Sequence, residues 1–130
     1  MDESILAEVK TMCNVSEEDD AFNGQLIPLI NSQLMVAHQF GVGYNGFNVT
    51  GVEETWRDLL GDHGEKLAAF KTWLGYSVLL LFDPPDNGTV LKSYQDQIQK
   101  LEWMLCSKSQ LEKHVIDYVP EHADVYEDED

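Results

Sequence analysis

Positive charge is scarce in this chain. Eight Lys and Arg residues stand against 24 Asp and Glu in 130 positions, for a formal net charge of −16. Free nucleic acid and anionic membranes repel such a surface, so nonspecific binding to either is excluded as a role. Cysteine is nearly absent too. Cys13 and Cys106 lie far apart with no C-x-x-C spacing, which argues against a zinc ribbon, a redox motif or a disulfide-stapled fold. Each cysteine instead reads as a small buried apolar residue. No basic stretch followed by a short apolar one opens the chain, so the expected compartment is a reducing cytoplasm. The sequons at Asn14, Asn48 and Asn87 then carry no weight. No internal repeat is visible. The longest apolar run is broken at Lys71 and is too short to span a bilayer.

That run is the organising feature. From Leu67 to Phe82 only Lys71, Thr72, Gly75 and Ser77 are not apolar, and a helix apolar on most of its circumference has to be covered on several sides. At 130 residues the chain is long enough for one domain with a real core and too short for two of ordinary size. The fold expected is all-α, a bundle of four to five helices with a long Gly-rich loop and an extended C-terminal arm. Residues 1–106 form the helical domain and residues 107–130 the arm and acidic tail.

In chain order, Ile5, Leu6, Val9 and Met12 mark one side of a short first helix, and the polar turn from Asn14 to Asp20 follows. A second helix over 21–40 buries Phe22, Leu26, Leu29 or Ile30, Ala37 and Phe40. Pro28 implies a kink there, or a main helix starting near Ile27. Residues 41–51 are a loop with four glycines and the aromatics Tyr44 and Phe47. Thr50 and Glu53 have the spacing of a capping box for a short third helix that carries Trp56, Leu59 and Leu60 inward. The central helix starts near Glu65 and stops at Asp83-Pro84-Pro85. Thr89 is the expected cap of the last helix, whose seam is Leu91, Tyr94, Ile98, Leu101 and Leu105. The short connection makes this helix antiparallel to the central one. Val115 to Val119 is a short β-favouring run before the acidic end.

Little here points to chemistry. Gly41, Gly43 and Gly46 spell G-x-G-x-x-G, but a helix precedes them and more loop follows, so no dinucleotide site is expected. The histidines His38, His63, His114 and His122 lack the local spacing of a zinc site. No nucleophile, base and orienting acid share a recognisable spacing. The reading is no enzyme, no cofactor and no metal. Trp56, Trp73 and Trp103 are read as core or helix-packing residues; Trp103 lies off the last helix's seam and is the best interface candidate among them.

Several short pieces carry a resemblance when taken in order. They are Ile30-Asn31-Ser32, Gln39-Phe40-Gly41-Val42-Gly43, Gly46-Phe47, Glu54-Thr55-Trp56, Asp58-Leu59-Leu60 and Lys71-Thr72. Leu80-Leu81-Phe82-Asp83-Pro84-Pro85, Gln97-Ile98 and Leu101-Glu102-Trp103 complete the set. Over about residues 5–105 the chain resembles the head–tail connector proteins of long-tailed phages, also called adaptor or head-completion proteins. It departs from them where relatives read Glu-Trp-Arg-Leu and this chain has Glu102-Trp103-Met104-Leu105.

The resemblance implies a structural protein of the virion neck, assembled in the host cytoplasm and without enzymatic activity or cofactor. The implied partners are further copies of the chain in a ring, usually of twelve, the portal protein, and the next neck or tail-completion protein. DNA passes through the ring without specific binding, and no membrane is involved. The candidate contact residues toward subunits or portal are Tyr44, Phe47, Lys92, Gln95, Gln99, Trp103, Val115, Ile116 and Tyr118. The rival reading is an acidic DNA mimic that inhibits a nucleic-acid-binding enzyme. It is disfavoured by the placing of the acids, since residues 1–20 and 121–130 hold seven and six of them.

Overall fold

The central apolar run forms α4, Leu67–Phe82, and the other helices are arranged about it. A computed structural model describes residues 2–44, 46–61 and 66–106. His63, His114, His122 and the candidate residues Val115, Ile116 and Tyr118 lie outside the described residues, as do all residues after Cys106. The remaining helices are α1 (Ile5–Met12), α2 (Asn23–Gln39), α3 (Trp56–Leu60) and α5 (Gly88–Leu105). The described residues are therefore all-α, as their periodicities imply.

α4 buries Phe70, Trp73, Leu74, Gly75, Ser77, Val78 and Leu79. Each large side chain removed from water there contributes about 1.5–3 kcal/mol. Three neighbours share the cover. α1 runs parallel to α4, with Glu8 Oε1 3.0 Å from Lys71 Nζ and Met12 against Gly75. α2 runs the other way: its Phe40 end meets Trp73 edge-on at 5.2 Å, and the preceding Phe22 meets Phe82 at 5.4 Å. α5 is antiparallel, as the short Pro84-Pro85 connection requires. Its pairings are Tyr76 with Tyr94 at 4.9 Å, Trp73 Nε1 donating to Glu102 Oε2 at 3.0 Å, and Lys66 Nζ donating to the Leu105 carbonyl at 3.2 Å.

Several local expectations need correction. The capping box of the short third helix is Thr55 with Asp58, not Thr50 with Glu53. Thr50 instead donates its hydroxyl to Glu54 Oε2 at 2.7 Å, and Gly51 N–H donates to Glu54 Oε1. Both T-x-x-acid spacings exist in the sequence. The second one coincides with the antiparallel bridge between Ser4 and Thr55, which holds Thr55 in the extended conformation a cap needs. The cap of α5 is Asn87, whose Oδ1 accepts from Thr89 N–H and Val90 N–H, rather than Thr89. α2 starts at Asn23 and contains Pro28, which excludes the alternative of a main helix starting near Ile27. The hydrogen bond that Pro28 cannot make would end on Gly24, and both residues are exposed, so water replaces it at small cost. Phe22, expected inside, is 38% exposed.

One buried charge has no sequence signature. Lys10 on α1 is 1% exposed, and its Nζ donates to the Glu17 carbonyl at 3.1 Å beside Asp20 Oδ1 at 3.5 Å. The ammonium thus straps the acidic turn onto the helix, and its methylene stem packs as an apolar chain would.

Cys13 is buried as expected, and burial pushes its thiol up to about 11. Cys106 is only half-buried. Its thiol is also raised, first by burial and then by the nearby Glu102 carboxylate.

Candidate functional site

The Gly-rich segment after α2 is held to the bundle at several points. Val42 and Val49 are buried and Phe47 packs on the core. Asn31, in the middle of α2, clamps the loop from below. Its Oδ1 accepts Val49 N–H at 2.7 Å, and its Nδ2 donates to the Val49 carbonyl at 3.0 Å. Gly43, at φ +79°, lies so close to Leu59 that a Cβ would need that side chain to move. Beyond these anchors Tyr44 stands out, 53% exposed and edge-on to the Phe47 ring at 5.5 Å.

An asparagine in mid-helix is a poor helix former because its amide competes for backbone groups. Here that competition is the purpose. Asn31→Ala should cost about 1–3 kcal/mol, since it leaves both Val49 groups without their partners. The loop amides should also exchange faster, which hydrogen exchange followed peptide by peptide reads directly.

The loop's far end is tied to the N-terminus. Ile5 N–H donates to the Glu54 carbonyl and Trp56 N–H to the Glu3 carbonyl, at 3.0 and 3.3 Å. Arg57 Nε donates to Asp2 Oδ1 at 2.8 Å, and that hydrogen bond holds the Asp2 carboxyl below its ordinary range. Partial burial pushes the Glu54 carboxyl up, but hydrogen bonds from the Thr50 hydroxyl and from backbone N–H groups more than offset it. The whole loop is a framed platform with one exposed aromatic.

The second candidate surface is the outer face of α5. Leu101 and Leu105 are buried and Leu91, Tyr94 and Ile98 half-buried, so the seam faces inward. Lys92, Gln95, Gln99 and Trp103 recur at steps of three and four, so they form one stripe, and all are exposed. Lys92 Nζ is 3.3 Å from Asp96 Oδ1. Trp103 is 57% exposed and Met104 59%. Trp56 and Trp73 are core residues as expected, but the reading of Trp103 as a core or helix-packing residue is corrected: it lies off the α5 seam and stands in solvent. The structure groups Tyr44 with Phe47 and the four α5 residues with one another, as two distinct surfaces.

Nothing in this arrangement resembles a reaction centre. Among the described residues no group of three or more His, Cys, Asp or Glu side chains could hold a metal ion. No described helix is long and apolar enough to cross a membrane. Tyr44, Trp103 and Met104 are exposed aromatic and thioether side chains, the kinds enriched at protein–protein contacts.

Comparison with known families then decides the class. Residues 5–112 match the phage connector protein family. The chain belongs to that family. Connector proteins of this kind are structural and generally not enzymes, and they work against other head and tail proteins of the phage. The match takes in all five described helices and the first residues after α5. Neither a curated protein nor a solved structure matches the chain.

Proposed function

We propose that this connector assembles into a ring, of twelve copies by family likeness, between the portal and the tail. The observation that carries the proposal is membership of the connector family across 5–112. The ring would lie in the virion neck after assembly in the host cytoplasm, extend the DNA channel, and offer its far face to the next neck or tail-completion protein. The strong negative charge suits a channel that passes DNA without holding it. The exposed stripe Lys92, Gln95, Gln99 and Trp103 suits contact with a neighbouring subunit or the portal, and Tyr44 with Phe47 suits an axial contact.

We further divide the chain at residue 106, with the helical domain before it and an arm after it. In this reading Val115, Ile116 and Tyr118 add as a strand to a neighbouring subunit, where main-chain hydrogen bonds give affinity and alternate side chains give fit. No observation favours the DNA-mimic alternative over family membership.

The test is complementation. DNA-filled heads made without this protein should fail to join tails, and adding the purified full-length chain should restore joining and infectivity. Chain lacking residues 107–130 should restore it less well. Tails that join equally in the absence of the protein would refute the connector role, and full restoration by the truncated chain would refute the role of the arm.

A further inference from the structure

The bundle loses its cover at one end. The buried stripe of α4 runs through Phe70, Leu74 and Val78 and then reaches Leu81, which is 54% exposed. α5 shows the same gradient toward its N-terminus, from buried Leu105 and Leu101 through half-buried Leu91 to exposed Val90. Phe22, just before α2, is exposed as well and meets the Phe82 ring, so the start of α2 adjoins the α4–α5 hinge. Element length is the cause. The last residue of α1, Met12, lies against Gly75, and α4 continues to Phe82 without α1 beside it.

Among the described residues, the segments that form this end carry charge of one sign. Glu17, Glu18, Asp19 and Asp20 precede Phe22, Asp83 and Asp86 lie in the hinge, and all six are exposed. Segments 13–25 and 81–91 contain no Lys or Arg. The cations nearest in sequence are already engaged: Lys10 is buried on the Glu17 carbonyl and beside Asp20, and Lys92 is paired with Asp96.

We infer that this end, built from Phe22, Leu81, Phe82 and Val90 with Asp20, Asp83 and Asp86 around them, is a docking surface for another protein. That partner presents apolar side chains flanked by Lys or Arg. Exposed apolar area supplies the affinity, and the surrounding carboxylates select a basic partner and steer its approach. The same signs disfavour the other occupants. DNA is an anion. A second copy carries the same net charge of −16, and the chain's own last ten residues hold six acids. The inference goes beyond the connector reading, which assigns no partner to this end, and it holds whether or not a ring forms.

The experiment uses the full-length chain and an 18-residue amphipathic helical peptide of Leu and Lys as probe. Hydrogen exchange maps the footprint and fluorescence anisotropy measures affinity. Protection is expected within 17–22 and 81–91. Leu81→Ser and Val90→Ser, both at exposed positions, should each weaken binding at least fivefold, and so should the pair Asp83→Asn and Asp86→Asn. The pair Glu127→Gln and Glu129→Gln makes the same charge change in the tail and should weaken it less than twofold.

Equal losses from the two charge-neutralising pairs would show general attraction to an acidic chain and overturn the proposal. So would a footprint on the Lys92–Trp103 stripe, or concentration-dependent protection of 81–91 without peptide, which would mean a second copy. Should a variant fail to fold, the footprint on the unaltered chain still decides.

Discussion

Trp73→Ala should lower the unfolding free energy by about 3–5 kcal/mol, a large part of the whole for a domain of this size. Trp73 is fully buried at the meeting point of three helices. Its ring stacks on Phe70 at 5.7 Å and takes the edge of Phe40 from α2 at 5.2 Å. Its Nε1 donates to Glu102 on α5. Alanine leaves a cavity between α2, α4 and α5 and also strands a half-buried carboxylate. Trp73→Phe separates the two effects. It keeps most of the apolar volume and loses the hydrogen bond to an ionised group, worth about 1.5–3 kcal/mol. Urea unfolding of the two variants measures both. A loss under about 1 kcal/mol for Trp73→Ala would mean that α4 is not the centre of the fold.

The second large effect is expected at Gly75. This glycine is buried in mid-helix, where glycine ordinarily costs about 1 kcal/mol relative to alanine. The cost is accepted because a Cβ there would run into the Met12 side chain of α1. Gly75→Leu should therefore destabilise by about 3 kcal/mol, the upper range for overpacking. Gly75→Ala should cost about 1 kcal/mol, because the thioether of Met12 can bend away. The double variant Gly75→Ala with Met12→Ala should recover part of what the single changes lose, a coupling that a double-mutant cycle in urea reads. A Gly75→Ala protein more stable than the original would show that α1 does not pack closely here.

Much of the architecture is legible in the sequence because it rests on periodicity. The spacing of Leu91, Tyr94, Ile98, Leu101 and Leu105 identifies the inward face of α5, and the apolar run from Leu67 to Phe82 identifies the buried helix. The double proline sets the hinge. What is not legible depends on partners distant in sequence. Thr50 and Thr55 offer equally good capping spacings, and only the pairing of Ser4 with Thr55 selects between them. Lys10 looks like an ordinary surface lysine until the turn at 14–20 folds over it. Asn31 gives a weak signal as a polar residue within a good helix, and its meaning appears only when Val49, 18 positions on, is beside it.

The candidate surfaces divide in the same way. Lys92, Gln95, Gln99 and Trp103 could be placed on one outward stripe from helical spacing alone. The exposed end at Leu81 and Val90 could not, because it results from α1 stopping level with Gly75, a matter of how helices of different length are set side by side. That end and the Tyr44 loop lie toward opposite ends of α4, since Phe22 meets Phe82 whereas Phe40, at the base of the loop, meets Trp73.

A cryo-electron microscopy reconstruction of the phage neck is the decisive experiment. It should show this chain as a ring between portal and tail, with α4 and α5 packed as an antiparallel hairpin and DNA on the ring axis. Finding the chain anywhere else in the virion, or finding portal and tail in direct contact without it, would refute the connector role.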